Sequence, residues 1–279
     1  MPGARQRRAY DGKSDCRKGR RVSVIYAEYH FPSDVLGRSM RVHVLLPRQR
    51  NLFCPAPNTV PAGGYRCLWF LHGLGDDGAA VLHNADVAAL CDAYETAVIL
   101  PDVENSFCLD AEPNARFRAY LLEELIPFTL EGLPVSGRRE DRFLGGISMG
   151  GYGALSLGLE RPELWSRVIA LSPALNLTAA VRYARLCRIP LPAALTASSS
   201  CAALPGGDPE KWLRRGDPSG SPRLFLTCGT RDMFRKSNAA FAALAAELGY
   251  DVTESYPPGA HDWSFWRDAL NRALRWVLS

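Results

Sequence analysis

A regular alternation of short apolar runs with longer amphipathic segments constrains the fold of this chain more than any other feature. The short runs are 67–71 (CLWFL), 97–101 (AVILP), 142–146 (RFLGG), 167–171 (RVIAL), 223–228 (RLFLTC) and 251–256 (DVTESY). The amphipathic segments predict helices at 79–94, 115–130, 150–161, 237–248 and 263–278. Apolar strands separated by helices are typical of a parallel sheet that is covered by helices on both faces.

Two further segments rich in β-branched and aromatic residues, 22–29 and 40–46, come before this alternation. A turn region containing Pro32 and Gly37 separates them, which predicts an antiparallel hairpin. The sequence therefore predicts an α/β fold with about eight strands in a mostly parallel sheet. A chain of 279 residues, 47% of them hydrophobic, is long enough to bury one large core.

The predicted domain spans residues 22–279 and is preceded by a basic segment at 1–21, where Lys and Arg outnumber Asp. We expect this segment to be a disordered, solvated tail, because it lacks an apolar face and interleaved aromatic residues. The alternative is that it recruits nucleic acid. Residues 175–221 are rich in Ala, Ser, Pro and Gly and are long for a connection, so they form either a lid or pocket wall or an ordered surface excursion.

Composition narrows the environment and the chemistry. No apolar run follows the basic N-terminal residues, and the sequence has no stretch of roughly 18 apolar residues. The eight cysteines form no CxxC pair, so no zinc or redox motif is present. We expect a cytoplasmic protein that needs no cofactor or metal, with neither nucleic acid nor membrane as a partner.

The segment RFLGGISMGGYGAL contains a G-x-S-x-G pattern centred on Ser148. The pattern alone is weak, but here it follows an apolar strand and opens an Ala/Leu-rich helix. This is the setting of the nucleophile elbow in the α/β-hydrolase fold, where a sharp turn exposes the serine hydroxyl at the carboxyl end of the sheet. The alternative interpretation is a turn of small residues that only permits close packing.

A serine hydroxyl needs an adjacent base, and in this architecture the base comes last in chain order, after an acid. Of the five histidines, only His261 lies after Ser148, in a Gly-containing loop between the last predicted strand and the last helix. Asp232 follows the penultimate strand and is the expected acid. The competing carboxylates downstream of the serine are Asp208, Asp217, Asp251 and Asp262.

The negative charge that develops during acyl transfer needs backbone amides as donors. One is the amide of Met149, directly after the candidate nucleophile. The second is expected from the loop after the first parallel strand, which reads LHGLGDDG, so the amide of Leu74 is the candidate. His72 lies at the wrong place in the chain to be the base, and we expect it to order this loop.

The motifs FLHGLG, PDVENSF, ELIPF, GGISMGGYGAL, CGTRD and GAHDWSFW, in this order, resemble the tributyrin-esterase-like branch of the esterase D group. This group is related to S-formylglutathione hydrolases and to acetyl and feruloyl carbohydrate esterases. The resemblance implies an α/β-hydrolase fold with a triad of Ser148, Asp232 and His261. It also implies that Asn105, Ser106 and Phe107 border the acyl pocket, and that Trp263 forms a pocket wall.

Two positions depart from the resemblance. Cys108 stands where similar proteins have Tyr, and the segment GDDGAAVLHN lacks an aromatic residue that they carry. Both departures concern the sizes of the acyl and alcohol sites. The family resemblance therefore predicts the reaction more specifically than it predicts the substrate.

The sequence predicts a serine esterase that hydrolyses small-molecule esters of short acyl groups such as acetyl or butyryl, with a carbohydrate as one possible alcohol. An S-formylglutathione hydrolase or acyltransferase with the same triad is an alternative. An inactive binding module that keeps the fold is an alternative of another class. Relatives of this kind are often oligomeric, and a homo-oligomer is a further expectation.

Overall fold

A computed structural model describes residues 24–47, 60–112, 115–197 and 208–278. Within them, eight strands form one sheet in the order β1-β2-β4-β3-β5-β6-β7-β8. The strands are β1 (Val24–Ser33), β2 (Arg38–Pro47), β3 (Arg66–Leu71), β4 (Thr96–Pro101), β5 (Arg142–Ile147), β6 (Arg167–Leu171), β7 (Arg223–Thr227) and β8 (Val252–Ser255). Each predicted strand is present, and the predicted fold class is confirmed. The basic segment 1–21 lies outside the described residues.

The first two strands form the predicted antiparallel hairpin, paired from Val24 opposite Pro47 to Ser33 opposite Arg38. Strand β2 also pairs antiparallel with β4. From β4 onward, the neighbouring strands are all parallel. The hairpin therefore extends one edge of a six-stranded parallel sheet whose carboxyl ends share one side.

Ten α-helices lie in the described part of the chain. They are α1 (Gly78–Asn84), α2 (Val87–Tyr94), α3 (Phe117–Ala119), α4 (Ile126–Gly132), α5 (Met149–Glu160), α6 (Leu177–Leu186), α7 (Ala193–Ala197), α8 (Pro209–Arg215), α9 (Arg235–Glu247) and α10 (Trp263–Val277). None of them is both long and apolar enough to cross a membrane.

Two predicted helices differ from the observed ones. The helix expected at 79–94 is divided, because the Asp86 side chain accepts a hydrogen bond from the Ala89 amide and starts a second helix there. The helix expected at 115–130 contains a π-helical segment, Tyr120–Leu125, immediately before α4. Pro127 has no amide hydrogen, so a regular hydrogen-bond ladder cannot run through this segment.

Apolar residues cover both faces of the sheet. Successive strand residues, such as Leu68 and Trp69, point to opposite faces. Helices α1, α2 and α10 pack on one face, whereas α3 to α5, α8 and α9 contribute to the core of the other. Helix α5 begins just after the carboxyl end of β5 and is buried on all sides.

The excursion at 175–221 contains α6, α7 and α8, and residues 198–207 lie outside the described part of the chain. The expected short helix at 179–186 is present as α6. Ala180 and Tyr183 of α6 line the pocket that contains Ser148, and Pro190 to Pro192 line a neighbouring cavity. Residues of the excursion thus line both cavities, and its role as a pocket wall or lid stays a prediction.

Candidate active site

Ser148 occupies the sharp turn between β5 and α5. Its backbone has φ +52°, a left-handed conformation that is uncommon for a residue other than glycine. Its amide donates a hydrogen bond to the Leu171 carbonyl at 2.8 Å, which ties the turn to the end of β6. The side chain is therefore held at the carboxyl edge of the sheet by backbone contacts on both sides.

The two glycines of the pattern are required by close backbone approach. A Cβ atom on Gly146 would lie 2.3 Å from the Gly150 carbonyl carbon, and one on Gly150 would lie 2.2 Å from the Leu71 carbonyl oxygen. Real Cβ atoms do not approach backbone atoms so closely. The G-x-S-x-G pattern is thus a packing requirement of the strand-to-helix turn and not only a permissive sequence.

Ser148, His261 and Asp232 form a continuous chain of hydrogen-bonded side chains. The Ser148 Oγ lies 2.9 Å from the His261 Nε2. The His261 Nδ1 lies 2.8 Å from the Asp232 Oδ2. His261 reaches Ser148 from the loop between β8 and α10, and Asp232 comes from the loop after β7. Three residues that are far apart in sequence therefore meet at the carboxyl ends of three strands.

The Asp232 carboxylate is buried and well supplied with donors. Its Oδ1 accepts a hydrogen bond from the Phe234 amide at 2.9 Å, and its side chain is fully inaccessible to solvent. Burial by itself raises the pKa of Asp232, but hydrogen bonds from His261, Phe234 and Ser172 outweigh it and leave that pKa below its ordinary value. Asp232 is therefore ionised when His261 takes up a proton.

The four competing carboxylates lie in other structures. Asp262 accepts a hydrogen bond from the Phe265 amide at the start of α10, and Asp208 accepts one from the Glu210 amide at the start of α8. Asp251 pairs with Arg223, and Asp217 bonds Ser219. All four have local partners, which leaves Asp232 as the carboxylate in contact with His261.

Three residues that the sequence analysis missed surround His261. Its ring packs edge-on against Trp266, with centroids 4.8 Å apart, and against Phe234 at 5.2 Å. The Trp266 Nε1 donates a hydrogen bond to the Ser172 Oγ at 3.1 Å. Ser172 is fully buried, has φ +47°, and also bonds Asp232. This network fixes both the imidazole plane and the carboxylate that orients it.

The two amides predicted as oxyanion donors, those of Leu74 and Met149, border the same pocket as Ser148 and His261. Within the described residues neither amide has a hydrogen-bond partner. The loop that carries Leu74 is held by His72, which is buried. The Val103 amide donates to the His72 Nε2 at 2.9 Å, and the His72 Nδ1 donates to the Gly73 carbonyl at 2.8 Å.

This arrangement requires a neutral His72 with its proton on Nδ1. Burial lowers the pKa of His72 below its ordinary value, against a smaller opposing effect of the hydrogen bond to Gly73. A neutral, doubly bonded imidazole joins the loop after β3 to the loop after β4. The sequence-based expectation that His72 orders this loop is confirmed by these two hydrogen bonds.

Three of the four residues expected to contact substrate divide between two sites. Phe107 lines the pocket of Ser148. Asn105 and Ser106 line the neighbouring cavity, where Asn105 bridges the Gly75 amide and the Pro190 carbonyl. Trp263 packs edge-on against Trp266 at 5.5 Å and donates a hydrogen bond to Asp76. Trp263 itself lines neither space, and the tryptophan that lines the pocket of Ser148 is Trp266.

The pocket around Ser148 is small, and its walls contain both apolar and polar groups. Its volume is about 120 Å³. Besides the serine, the histidine and the two amides, its walls include the apolar residues Phe107, Ala174, Ala180, Phe234 and Trp266. Such a pocket admits a short apolar group next to the serine hydroxyl and excludes a bulky one.

A serine on a strand-to-helix elbow, hydrogen-bonded to a histidine and through it to a buried carboxylate, places this chain among the serine hydrolases of the α/β-hydrolase fold. Sequence comparison then gives the family. Residues 33–277 match the family described as "Putative esterase". The chain belongs to this esterase family, and it is a serine carboxylic ester hydrolase.

Individual relatives agree with this family. The chain is 31% identical over 232 residues to an acetyl esterase of Caldicellulosiruptor saccharolyticus, covering 78% of this chain and 85% of that protein. It is also similar in structure to the fluorophosphonate-binding serine hydrolase FphF of Staphylococcus aureus, with a TM-score of 0.77, 24% identity and coverage of 92% and 98%.

A further solved structure, the S-formylglutathione hydrolase FrmB of Staphylococcus aureus, matches with a TM-score of 0.76 and 23% identity, covering 92% of this chain and 99% of that one. At this identity, the structural likeness establishes the fold alone.

Proposed function

We propose that Ser148 is the nucleophile, His261 the general base and Asp232 the orienting acid of a short-chain esterase. The observation that carries the proposal is the unbroken pair of hydrogen bonds, 2.9 Å from Ser148 to His261 and 2.8 Å from His261 to Asp232. The geometry matches the role of each group: Nε2 accepts the serine proton, while the Nδ1 proton stays on His261 and is donated in a hydrogen bond to the Asp232 carboxylate.

In the proposed reaction, the Ser148 Oγ attacks the ester carbonyl carbon as its proton passes to the His261 Nε2. The Leu74 and Met149 amides donate to the resulting oxyanion. The bond to the alcohol oxygen breaks, and His261 returns the proton to that oxygen. Water then attacks the acyl-serine, gives a proton to His261, and releases the acid as the proton returns to Ser148.

The size of the pocket supports a short acyl group. A volume of about 120 Å³ next to the serine suits acetyl to butyryl chains, and Phe107 and Trp266 close it against longer ones. The relative described as an acetyl esterase supports the same acyl class. The alcohol half of the ester has to extend away from this pocket, and we propose a carbohydrate in that position.

The test is hydrolysis of p-nitrophenyl acetate by Ser148→Ala, with the exposed Ser219→Ala as matched control. We expect Ser148→Ala to lose activity by about 10³-fold or more, while Ser219→Ala keeps it. A fluorophosphonate probe should label the wild type and not Ser148→Ala. Absence of labelling in a folded wild-type protein would instead support an inactive module that keeps the fold.

Acyl length and acceptor are tested with one substrate panel. We expect kcat/KM to be highest for p-nitrophenyl acetate to butyrate and to fall for octanoate. S-formylglutathione and an added alcohol acceptor complete the panel. Faster turnover of the thioester, or transfer to the alcohol in place of hydrolysis, would assign the alternative activities and refute the esterase proposal.

We further propose that the protein works in a reducing compartment such as the cytoplasm. The five cysteines in the described residues are free thiols, including the buried Cys67, Cys91, Cys108 and Cys228. Localisation of the tagged full-length chain tests this, and recovery from an oxidising compartment would contradict it.

A further inference from the structure

A second, larger cavity adjoins the pocket of Ser148. Its volume is about 530 Å³, and it lies between the loops after β3 and β4, the start of α3 and the segment 190–192. Asp76 borders both spaces. A Cβ atom on Gly73 would lie 3.7 Å from the Asp76 Oδ2 and 3.8 Å from the Ser148 Cβ, so the carboxylate is close to the reacting centre.

The walls of this cavity are fixed by hydrogen bonds from three segments. Asn105 accepts from the Gly75 amide at 2.8 Å and donates to the Pro190 carbonyl at 3.0 Å. The Ala193 amide donates to the Glu112 Oε1 at 2.8 Å. Hydrogen bonds between separate segments of the chain therefore hold the walls of the cavity together.

The walls of the cavity carry more negatively than positively charged side chains. Its described lining residues include three carboxylates, Asp76, Glu104 and Glu112, and one cation, Arg38. Arg38 is already engaged, because its guanidinium lies 2.8 Å from the Glu104 carboxylate and 5.5 Å from the centre of the Phe117 ring. A bound group therefore meets carboxylate oxygens, which accept hydrogen bonds from hydroxyls and repel anions.

Asp76 borders both the cavity and the pocket of Ser148, so its negative charge lies near a bound ester. Burial raises its pKa above the ordinary value, His72 and the Trp263 indole lower it, and Asp77 raises it further. Its hydrogen bond to Trp263 connects it to α10 and, through Trp266, to the ring of His261. His261 is the group that protonates the departing alcohol in the proposed reaction.

We propose that this cavity receives the half of the ester that does not fit the pocket of Ser148, and that it selects an uncharged, hydroxyl-bearing group over an anionic one, with Asp76 as the specificity-determining residue. The inference rests on the proposed esterase function and adds the site and the charge rule for the alcohol. A glutathione thioester, whose thiol half carries net negative charge, is disfavoured by the same rule.

Two matched substrate pairs test the proposal. Methyl acetoxyacetate and acetoxyacetate differ in charge without adding a hydrogen-bond donor, and a monoacetylated methyl glucoside and cyclohexyl acetate differ chiefly in hydroxyl groups. At low salt we expect the wild type to prefer the uncharged ester and the sugar ester by about tenfold in kcat/KM, which corresponds to one moderate electrostatic or hydrogen-bond contact. Added salt should reduce the charge preference.

The variants are Asp76→Asn and, as a control with the same change of charge outside the cavity, Glu247→Gln on the exposed side of α9. We expect Asp76→Asn to reduce both preferences at least threefold, and Glu247→Gln to leave them as in the wild type. The ratios within each pair are compared, so a general loss of activity does not obscure the result.

The outcomes separate this inference from the proposed function. If the wild type hydrolyses p-nitrophenyl acetate but treats both members of each pair alike, the charge rule is wrong and the esterase function stands. If Asp76→Asn leaves both ratios unchanged, Asp76 is not the determinant. If the folded protein hydrolyses no ester, the proposed function fails and the inference fails with it.

Discussion

The pocket of Ser148 and the cavity beside it are neighbours that differ most in size and in the number of carboxylates in their walls. The pocket is small and has mixed apolar and polar walls. Ser148 and His261 belong to one hydrogen-bond chain that ends at Asp232, whereas Asp76 lies outside that chain. The cavity is more than four times larger and lined by carboxylates. The residues of the hydrogen-bond chain are thus held at the ends of strands, whereas most of the charged groups proposed to select the substrate lie on loops.

Two carboxylates make the difference concrete. Asp232 is fully buried, receives several hydrogen bonds, and has a pKa below its ordinary value. Asp76 is partly buried with few donors, and burial raises its pKa. One environment stabilises the ionised form and the other disfavours it, although both residues lie within one site.

The largest expected effect is a loss of kcat when the hydrogen-bond chain from Ser148 to Asp232 is interrupted. Asp232→Asn should lower kcat by about 10⁴-fold, because an amide cannot fix the imidazole tautomer or stabilise the imidazolium. Steady-state kinetics with p-nitrophenyl acetate measure it. A loss smaller than about tenfold, in a protein with an unchanged circular dichroism spectrum, would show that Asp232 is not the acid.

The next effect concerns stability at the elbow. Gly150→Ala should lower the free energy of unfolding by about 3 kcal/mol, because its Cβ would lie 2.2 Å from the Leu71 carbonyl oxygen. Gly137→Ala is the matched control, since no atom lies within 4 Å of its added Cβ. Urea unfolding compares them, and equal stabilities would contradict the close packing inferred for the turn.

A smaller effect tests the support of His261. Ser172→Ala removes the acceptor of the Trp266 indole and one donor to Asp232, so we expect kcat to fall about tenfold with KM nearly unchanged. The acid limb of the pH profile should also shift, which a purely structural defect would not cause.

The smallest expected effect is on the pH dependence of stability, because the pKa values of Asp232 and Asp76 are shifted in opposite directions. The depressed pKa of Asp232 contributes stability that is present above pH 4 and is lost as pH falls through its folded pKa. The raised pKa of Asp76 acts in the opposite direction and favours the folded state as pH falls. Relative to wild type, Asp232→Asn should therefore lose less stability between pH 7 and pH 3, and Asp76→Asn more.

The expected differences are about 1 kcal/mol or less, after allowing for solvent screening at Asp76. Thermal unfolding at both pH values measures them. Shifts of the same sign in the two variants would remove the contrast.

Much of the fold could be predicted because its strands are local, continuous apolar runs. Ser148 and His261 were also predictable, since the elbow has a sequence pattern and only one histidine follows it. The division at Asp86 was not, because an interrupted amphipathic pattern looks like one helix. A side-chain cap decides the boundary there.

The support of the site could not be predicted for a different reason. Trp266 and Ser172 are 94 residues apart, and their contact exists only once α10 lies across the sheet. The cavity draws its walls from five separate segments. Local pattern carries no information about such contacts, and even the resemblance assigned Asn105 to the acyl pocket when it lies in the neighbouring cavity.

The order of Ser148, Asp232 and His261 along the chain is also the order in which they are synthesised. His261 follows β8, the last strand in chain order, and Ser148 and Asp232 are both synthesised before it. In the proposed mechanism, a chain that has been synthesised only as far as Asp232 still lacks the base for Ser148. Esterase activity therefore requires the chain to extend through the loop after β8.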